Sequence, residues 1–188
     1  MSQEACPRPE VPLDLEIETA RLVLRAPHPD YAEKVNEAIR ESFDELRAWM
    51  DWARQVPSID ESRAQQERAR KQFLEREELP LVLFCGDRVV GGSGLHRIDW
   101  SLPAFEIGYW VRRSETGRGY VTEAVEAIGD FAFQQLGARR VEIRTDTRNS
   151  QSRKIPERLG YDLEGILRHD RLDTQGLPRN TAFYAKTR

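Results

Sequence analysis

Apolar residues recur along the chain with two periods, and each change of period predicts a new element. Between positions 30 and 52 they are spaced three or four apart, which is helical spacing, with a break near Ser42. Ser58 and Glu61 have the spacing of a capping box, so a charged helix is expected from there to about Leu79. Extended patterns predict strands at 21–25, 81–85, 89–95, 104–111, 140–145, 161–172 and 179–185.

Two further helices are predicted in the second half of the chain, each ending near a glycine. One covers about 121–136 before Gly137, and the other covers about 150–159 before Gly160. Strands and helices in this order indicate a mixed α/β sandwich built on one long, mostly antiparallel sheet. Residues 1–18 are expected to form a loose N-terminal arm, and residues 19–188 a single domain.

Composition narrows the possible partners of this domain. The chain has 188 residues, 29 basic and 32 acidic, and a net charge of −3, which argues against a protein held to nucleic acid by phosphate contacts. No stretch approaches the ~20 apolar residues of a membrane-spanning helix, and the first ten residues lack the apolar block of a secretory signal. Two cysteines and three histidines show no metal-ligand spacing. A cytoplasmic protein without metal, membrane or direct nucleic-acid contacts is expected.

The most informative window runs from Glu106 to Thr122, where a strand leads through a glycine-containing loop into a helix. Gly117 and Gly119 allow the backbone to approach a ligand, and the amides of the first helical turn favour an anion such as pyrophosphate. By itself this pattern is weak, because a tight turn with solvated arginines explains it too. A Walker loop is excluded, since no Gly-Lys-Ser/Thr follows, and the dinucleotide pattern fails because its third glycine position is Thr122.

The wider order of motifs resembles the GNAT superfamily of acetyl-CoA-dependent N-acetyltransferases, in particular the branch containing RimJ and RimL. The resemblance extends from Thr19 through Tyr184. It implies a seven-stranded, mostly antiparallel sheet with splayed central strands, flanked by helices. The motifs that carry it are Gly91-Gly92, Ile107-Gly108-Tyr109-Trp110, Gly117-Arg118-Gly119-Tyr120, Glu123-Ala124, Asn149-x-x-Ser152 and Glu164-Gly165.

The resemblance also implies where acetyl-CoA, the cosubstrate, would bind. Strand backbone would pair with the pantetheine amides, the glycine loop and first helical turn would hold the pyrophosphate, and Asn149 would hold the coenzyme arm. A plain helix cap explains Asn149 equally well. The family's usual Gln or Arg before the first glycine is Ser114 here, a place that Arg113 could take. The implied coenzyme-binding residues are Tyr109, Trp110, Val111, Arg112, Arg113, Gly117, Arg118, Gly119, Tyr120, Val121, Thr122 and Asn149.

Two residues are candidates for the chemistry. Glu106, on one strand face with Gly108 and Trp110, is a candidate general base, since related enzymes place a glutamate there and an apolar cleft would raise its pKa. The alternative is a strand glutamate in a cross-strand ion pair. Ser152 is a candidate donor to the departing thiolate, and the alternative is an ordinary first-turn serine. Pro156 should disturb the helix that follows Ser152.

The reaction implied is transfer of an acetyl group from acetyl-CoA to a primary amine by direct attack in a ternary complex. The first candidate acceptor is the N-terminal amine of a ribosomal protein. The alternatives are a small amine, polyamine or aminoglycoside acceptor, and a non-catalytic acyl-CoA-binding module. A homodimer is common among such proteins. Trp49 and Trp52 lie in the helical segment that covers the acceptor cleft in this family, and are weak candidates for acceptor contacts.

Overall fold

The structure is a computed structural model that describes residues 9–188, which contain eight strands and five α-helices. The strands are β1 (Glu16–Glu18), β2 (Val23–Arg25), β3 (Leu79–Cys85), β4 (Arg88–Asp99), β5 (Ala104–Val111), β6 (Arg140–Asp146), β7 (Asp162–Leu172) and β8 (Pro178–Thr187). The helices are α1 (Ala32–Glu41), α2 (Phe43–Trp49), α3 (Ile59–Glu75), α4 (Tyr120–Gln134) and α5 (Ser150–Arg158).

The strands form one sheet in the order β1-β2-β3-β4-β5-β6-β8-β7, in which only β5 and β6 pair in parallel. The predicted mixed, mostly antiparallel sheet is therefore confirmed, with eight strands instead of seven. The extra strand is β1, which pairs with β2. The loose arm expected over 1–18 is wrong for its second half, because Val11 and Leu15 are buried in the core next to β1. Residues 1–8 lie outside the described residues.

Both faces of the sheet are covered, which explains the unbroken apolar run in β3. Successive side chains of a strand point to opposite faces. Leu81 and Leu83 join the larger core cluster together with α4, while Val82 and Phe84 join a smaller cluster together with α1. Helix α1 therefore covers one face near the first half of the sheet, and α4 covers the other.

The helix boundaries follow from local chemistry. Ser42 separates α1 from α2, as the spacing predicts, and its hydroxyl donates to the Ala38 carbonyl at 2.8 Å. The capping box of Ser58 and Glu61 is present at the start of α3. Helix α3 ends at Glu75, earlier than expected, because Arg76 adopts a left-handed conformation with φ of 55°. This end turns the chain into β3.

The central strands separate soon after they meet. Strand β5 pairs with β6 at three positions, from Ala104 to Glu106 against Arg140 to Glu142, and no pairing follows toward Val111. On its other side β5 stays paired with β4 as far as Val111. The expected splay of the central strands is thus present, and it begins directly after Glu106.

Close packing of β4 on β5 gives a test of this geometry. A Cβ on Gly91 would lie 2.3 Å from the Trp110 carbonyl oxygen, whereas one on Gly165 would have no atom within 4 Å. We expect Gly91→Ala to lower the free energy of unfolding by about 1–3 kcal/mol, because backbone must move to admit the methyl group. Gly165→Ala should change it by less than about 0.5 kcal/mol. Urea unfolding of both variants measures the difference, and equal stabilities would contradict the β4–β5 packing described.

Candidate active site

The gap between β5 and β6 exposes strand backbone. The Arg112 amide donates to the Val90 carbonyl at 2.8 Å, which fixes the alternation of hydrogen bonds between β5 and β4. By that alternation the backbone of Trp110 bonds to β4, and the backbones of Tyr109 and Val111 face the gap. Tyr109 and Val111 can therefore pair with an extended ligand. The Trp110 backbone is opposite Gly92 on β4, and the expected contact of Trp110 with the coenzyme stays a prediction.

The glycine loop lies at the end of β5 and leads into α4. Gly117 and Gly119 have φ of 82° and 80°, a conformation that a side chain would disfavour, and a Cβ on Gly117 would meet nothing within 4 Å. Gly119 is the N-cap of α4, so the amides of the first turn, including Val121 and Thr122, lack acceptors within the helix. Helix and loop together favour an anion here.

Two of the three loop arginines remain accessible. The Arg113 and Arg118 side chains are 62% and 59% exposed, and each has one ion-pair partner, Glu45 at 3.5 Å and Glu115 at 3.2 Å. Both can turn toward an anion bound at the loop. Tyr120, at the start of α4, is buried, and its hydroxyl lies 3.5 Å from the Cys85 sulfur.

Arg112 differs from the other two arginines, because it is buried. Its guanidinium forms ion pairs with Glu37 and with Glu41, the latter at 2.6 Å, and both carboxylates lie on α1. Its amide is bonded to Val90 as described above. Arg112 therefore ties the loop to α1, and the expectation that it binds the coenzyme stays a prediction.

The same helix end holds the loop backbone. Ser42 Oγ accepts from the Arg113 amide at 2.8 Å, and Glu41 accepts from the Ser114 amide at 2.9 Å. Although burial raises the pKa of Glu41, hydrogen bonds from Ser114 and Arg112 lower it to about 2. Glu41 thus stays charged at any physiological pH, so it continues to hold the loop.

A second anchor, which sequence reasoning missed, fixes the start of α4 to the chain before β2. Glu123 accepts from the Thr19 hydroxyl at 2.6 Å, from the Arg21 amide at 2.9 Å and from Arg21 Nε at 2.7 Å. Arg21 also donates to the Arg118 carbonyl at 2.8 Å. Part of the signal was present in the sequence, since Glu123 belongs to a motif that carried the resemblance and Thr19 is the residue at which the resemblance begins.

Ser152 and Tyr109 meet across the gap. Asn149 caps α5 by accepting from the Ser152 amide at 3.0 Å, as a plain cap would. Ser152 Oγ donates to the Tyr109 hydroxyl at 3.1 Å, and that hydroxyl donates to the Ser152 carbonyl at 2.9 Å. Within a helix, the Ser152 carbonyl would accept from the amide of residue 156, but Pro156 has no N–H. The Ser152 carbonyl is therefore free to accept from Tyr109. Burial raises the pKa of Tyr109, so it remains a neutral phenol.

Glu106 lies where the strands part, and its side chain is 17% exposed. Its Oε2 is 3.2 Å from Arg97 Nε and 3.1 Å from Arg144 Nε, yet neither contact has hydrogen-bond geometry. Burial raises the pKa of Glu106, and the two arginines oppose this effect. Its burial therefore agrees with the role of a general base, and its two arginine neighbours agree with a cross-strand ion pair.

A cavity of about 680 Å³ lies between the helices α1 and α3 and the strands β3 to β5. His96 lines it together with Glu78, and His96 Nδ1 is 3.0 Å from Glu78 Oε2. Trp52, one of the two weak tryptophan candidates, also lines the cavity and stacks edge-on against Trp110 at 6.4 Å, while Trp49 is not part of the lining. Glu106 is not part of the lining either.

Among residues 9–188, no group of three or more His, Cys, Asp or Glu side chains is arranged to hold a metal ion. Within the same residues, no helix has the length and apolar character needed to cross a bilayer.

Comparison with known proteins places this arrangement in a family. The family model for the acetyltransferase (GNAT) domain matches residues 21–162. The "Putative ribosomal N-acetyltransferase YdaF" of Bacillus subtilis (strain 168) is 29% identical over 165 residues, which are 87% of this chain and 90% of that protein. The ribosomal-protein-serine acetyltransferase of Escherichia coli (strain K12) is 32% identical over 87 residues, 46% of this chain and 49% of that protein.

Solved structures share the whole fold. RimL, a ribosomal L7/L12 alpha-N-protein acetyltransferase solved in complex with coenzyme A, superposes with a TM-score of 0.87 at 21% identity, over 92% of this chain and 98% of its own. At that identity the likeness concerns the fold. The resemblance drawn from the sequence motifs is confirmed by the family model, which spans most of the chain. The protein belongs to the GNAT family of acetyltransferases.

Proposed function

We propose that this enzyme transfers the acetyl group of acetyl-CoA to the N-terminal amine of a ribosomal protein. The observation that carries the proposal is the gap that opens after Glu106, with a helix N-terminus and the glycine loop at its end. The coenzyme's pantetheine arm would pair with the free backbone of Tyr109 and Val111. Its pyrophosphate would lie on the amides from Gly117 to Thr122, beside Arg113 and Arg118.

The cavity supports a peptide as the acceptor. Its lining carries several amide side chains, and Gln66 is only 6% exposed while its Oε1 has no hydrogen-bond partner among the described residues. A buried acceptor atom without a partner is costly, so a ligand that brings N–H donors would satisfy it. Peptide backbone offers such donors. The names of YdaF and of the Escherichia coli relative both refer to ribosomal acceptors, in agreement with this choice.

The reacting groups follow from the same geometry. The amine nitrogen attacks the thioester carbon, the carbon–sulfur bond breaks, and the sulfur leaves as a thiolate that must gain a proton. Ser152 is the proposed donor of a hydrogen bond to that sulfur, turning its hydroxyl from Tyr109 toward the gap. Asn149, besides capping α5, keeps its amide nitrogen available for the coenzyme arm. Glu106 remains a candidate base by virtue of its burial.

A homodimer and a cytoplasmic location complete the proposal. Strand β7, at the sheet edge, is exposed along its length and carries several large apolar side chains. Exposed apolar edge strands are suited to pairing with a second copy. The exposed apolar residues on β7 and the turn after it are Leu163, Ile166, Leu167, Leu172 and Leu177. Ribosomal proteins as acceptors imply the cytoplasm, and direct contact with nucleic acid is not part of the proposal.

The acceptor is tested by thiol release from acetyl-CoA. Peptides with the N-terminal sequences of ribosomal proteins should release free thiol, and the same peptides with acetylated N-termini should not, because they lack the nucleophile. Polyamines and aminoglycosides serve as competing acceptors. Faster release with those amines would contradict the peptide assignment, and coenzyme binding without any release would indicate a non-catalytic acyl-CoA-binding module.

The coenzyme loop is tested by substitutions of two glycines that have the same backbone φ. Gly119 and Gly176 both have φ of 80°, but Gly176 lies in the remote turn after β7. Gly119→Ala should weaken coenzyme A binding about tenfold or more, because the methyl group displaces the anion from a charge-assisted hydrogen bond of roughly 1.5–3 kcal/mol. Calorimetric titration measures this, and Gly176→Ala should bind normally. Equal affinities would make the loop an ordinary turn.

The role of Ser152 is tested against another serine of the same helix. Ser152→Ala should lower kcat by about 10²-fold, since a donor to a developing anion is lost, and should leave the Kd for coenzyme A nearly unchanged. Ser150, which is exposed at the start of α5, provides the control, and Ser150→Ala should keep full activity. Parallel losses of kcat and coenzyme affinity would assign Ser152 to ground-state binding instead.

A further inference from the structure

His96 and Glu78 form a hydrogen-bonded pair inside the cavity, and neither has a role in the site described so far. Strand β4 carries His96, and Glu78 immediately precedes β3, so neighbouring strands of the sheet hold both ends of the pair. Their side chains are 32% and 34% exposed, which leaves the pair accessible from the cavity. Two fixed backbones make this a rigid arrangement.

The pair determines which ring nitrogen is free. A carboxylate can only accept a hydrogen bond, so Nδ1 carries the proton that bonds Glu78 Oε2 at 3.0 Å. In the neutral ring, Nε2 is then left with an unshared electron pair. The hydrogen bond from His96 lowers the pKa of Glu78, which keeps that carboxylate charged.

The free nitrogen lies against the middle of β5. A Cβ added to Gly108 would meet His96 Cδ2 at 3.2 Å and Nε2 at 3.4 Å, so the ring occupies the space that a side chain at Gly108 would need. Gly108 lies two residues beyond Glu106, within the stretch of β5 that no longer pairs with β6. The ring therefore stands where the acceptor cavity meets the proposed path of the pantetheine arm.

We propose that His96, oriented by Glu78, is the base that takes the proton from the acceptor amine. This inference rests on the proposed function. Nε2 accepts one proton from the ammonium group, which becomes the neutral amine that attacks the thioester carbon; the imidazolium afterwards releases that proton to solvent. The overall step converts ammonium and thioester into acetamide, thiol and one released proton.

Charges around the ring suit this task. Glu78 flanks the imidazolium, and Glu106 lies directly opposite His96 across the β4–β5 pair. Two arginines partly balance these negative charges, and both pair with Glu106. They are Arg97, which follows His96 in the chain, and Arg144 on β6. From α3, Glu61 and Arg68 line the same cavity with opposite charge. Glu106 itself is held by two arginines outside the cavity lining, which favours His96 as the group that meets the amine.

The test compares pH profiles of thiol release with the ribosomal-protein peptide that gives the highest rate. His96→Gln should lower kcat by about 10²–10⁴-fold at neutral pH while coenzyme A affinity stays unchanged, and the loss should shrink at pH values where the peptide amine is already neutral. Glu78→Gln should lower kcat and leave coenzyme A affinity unchanged, because the Nδ1–H of His96 loses its charged partner. Glu78 is a positioning residue, so Glu78→Asp should restore part of kcat, whereas a purely structural role would lower coenzyme affinity as well.

Two variants control for indirect effects. His28→Gln removes another histidine whose Nδ1 lies near a carboxylate, 3.3 Å from Asp30 Oδ2, but which does not line the cavity, and it should keep the wild-type profile. Glu106→Gln tests the competing base. Activity of His96→Gln within threefold of wild type, or a large loss confined to Glu106→Gln, would overturn the assignment of His96 as the base and leave the proposed function standing. Absence of thiol release by the unsubstituted protein would overturn the proposed function and the inference with it.

Discussion

Backbone N–H and C=O groups inside a protein must find partners, and the short parallel contact between β5 and β6 leaves several of them without a strand to pair with. Pairing stops at Glu106, while β5 remains bonded to β4 along its whole length. The rest of the sheet thus holds β5 in place, while the backbone N–H and C=O groups on its free edge remain available for hydrogen bonds. A ligand with amide groups along its length can complete it, and the remaining features of the site are arranged around that edge.

The two faces of this opening carry different chemistry. On the face of α5, Ser152 and Tyr109 form a pair of hydroxyl groups, made possible by the carbonyl that Pro156 leaves free. On the side of β3 and β4, His96 and Glu78 line the cavity, which Tyr109 also lines. In the proposed reaction, which removes a proton from nitrogen and delivers one to sulfur, each pair would serve one of the two proton transfers.

Much of this architecture could be predicted from the sequence, and the remainder depends on contacts between distant segments. Period and glycine position sufficed for β5, the loop and α4, since these are local properties of the chain. The strand Glu16–Glu18 was missed, because three residues are too short to show a period, and only pairing with β2 makes them a strand. The burial of Arg112 could not be predicted, because its partners lie 71 and 75 positions away. Pro156 did carry a usable signal. A helical N–H bonds to the carbonyl four residues earlier, so a proline at 156 indicates that the Ser152 carbonyl has no helical partner.

The buried Arg112 joins α1, which lines the cavity, to the loop that is proposed to hold the coenzyme. Helix α1 lines the acceptor cavity through Val35 and Ile39, and its last residues hold Arg112 and the amides of the coenzyme loop. If an acceptor bound in the cavity displaced α1, the loop would move with it, and the resulting coupling of affinities would be equal in both directions. The two substrates would then bind with synergy or antagonism instead of independently. Under the proposed function, a substitution on α1 that alters specificity for the acceptor would then also alter the affinity for the coenzyme.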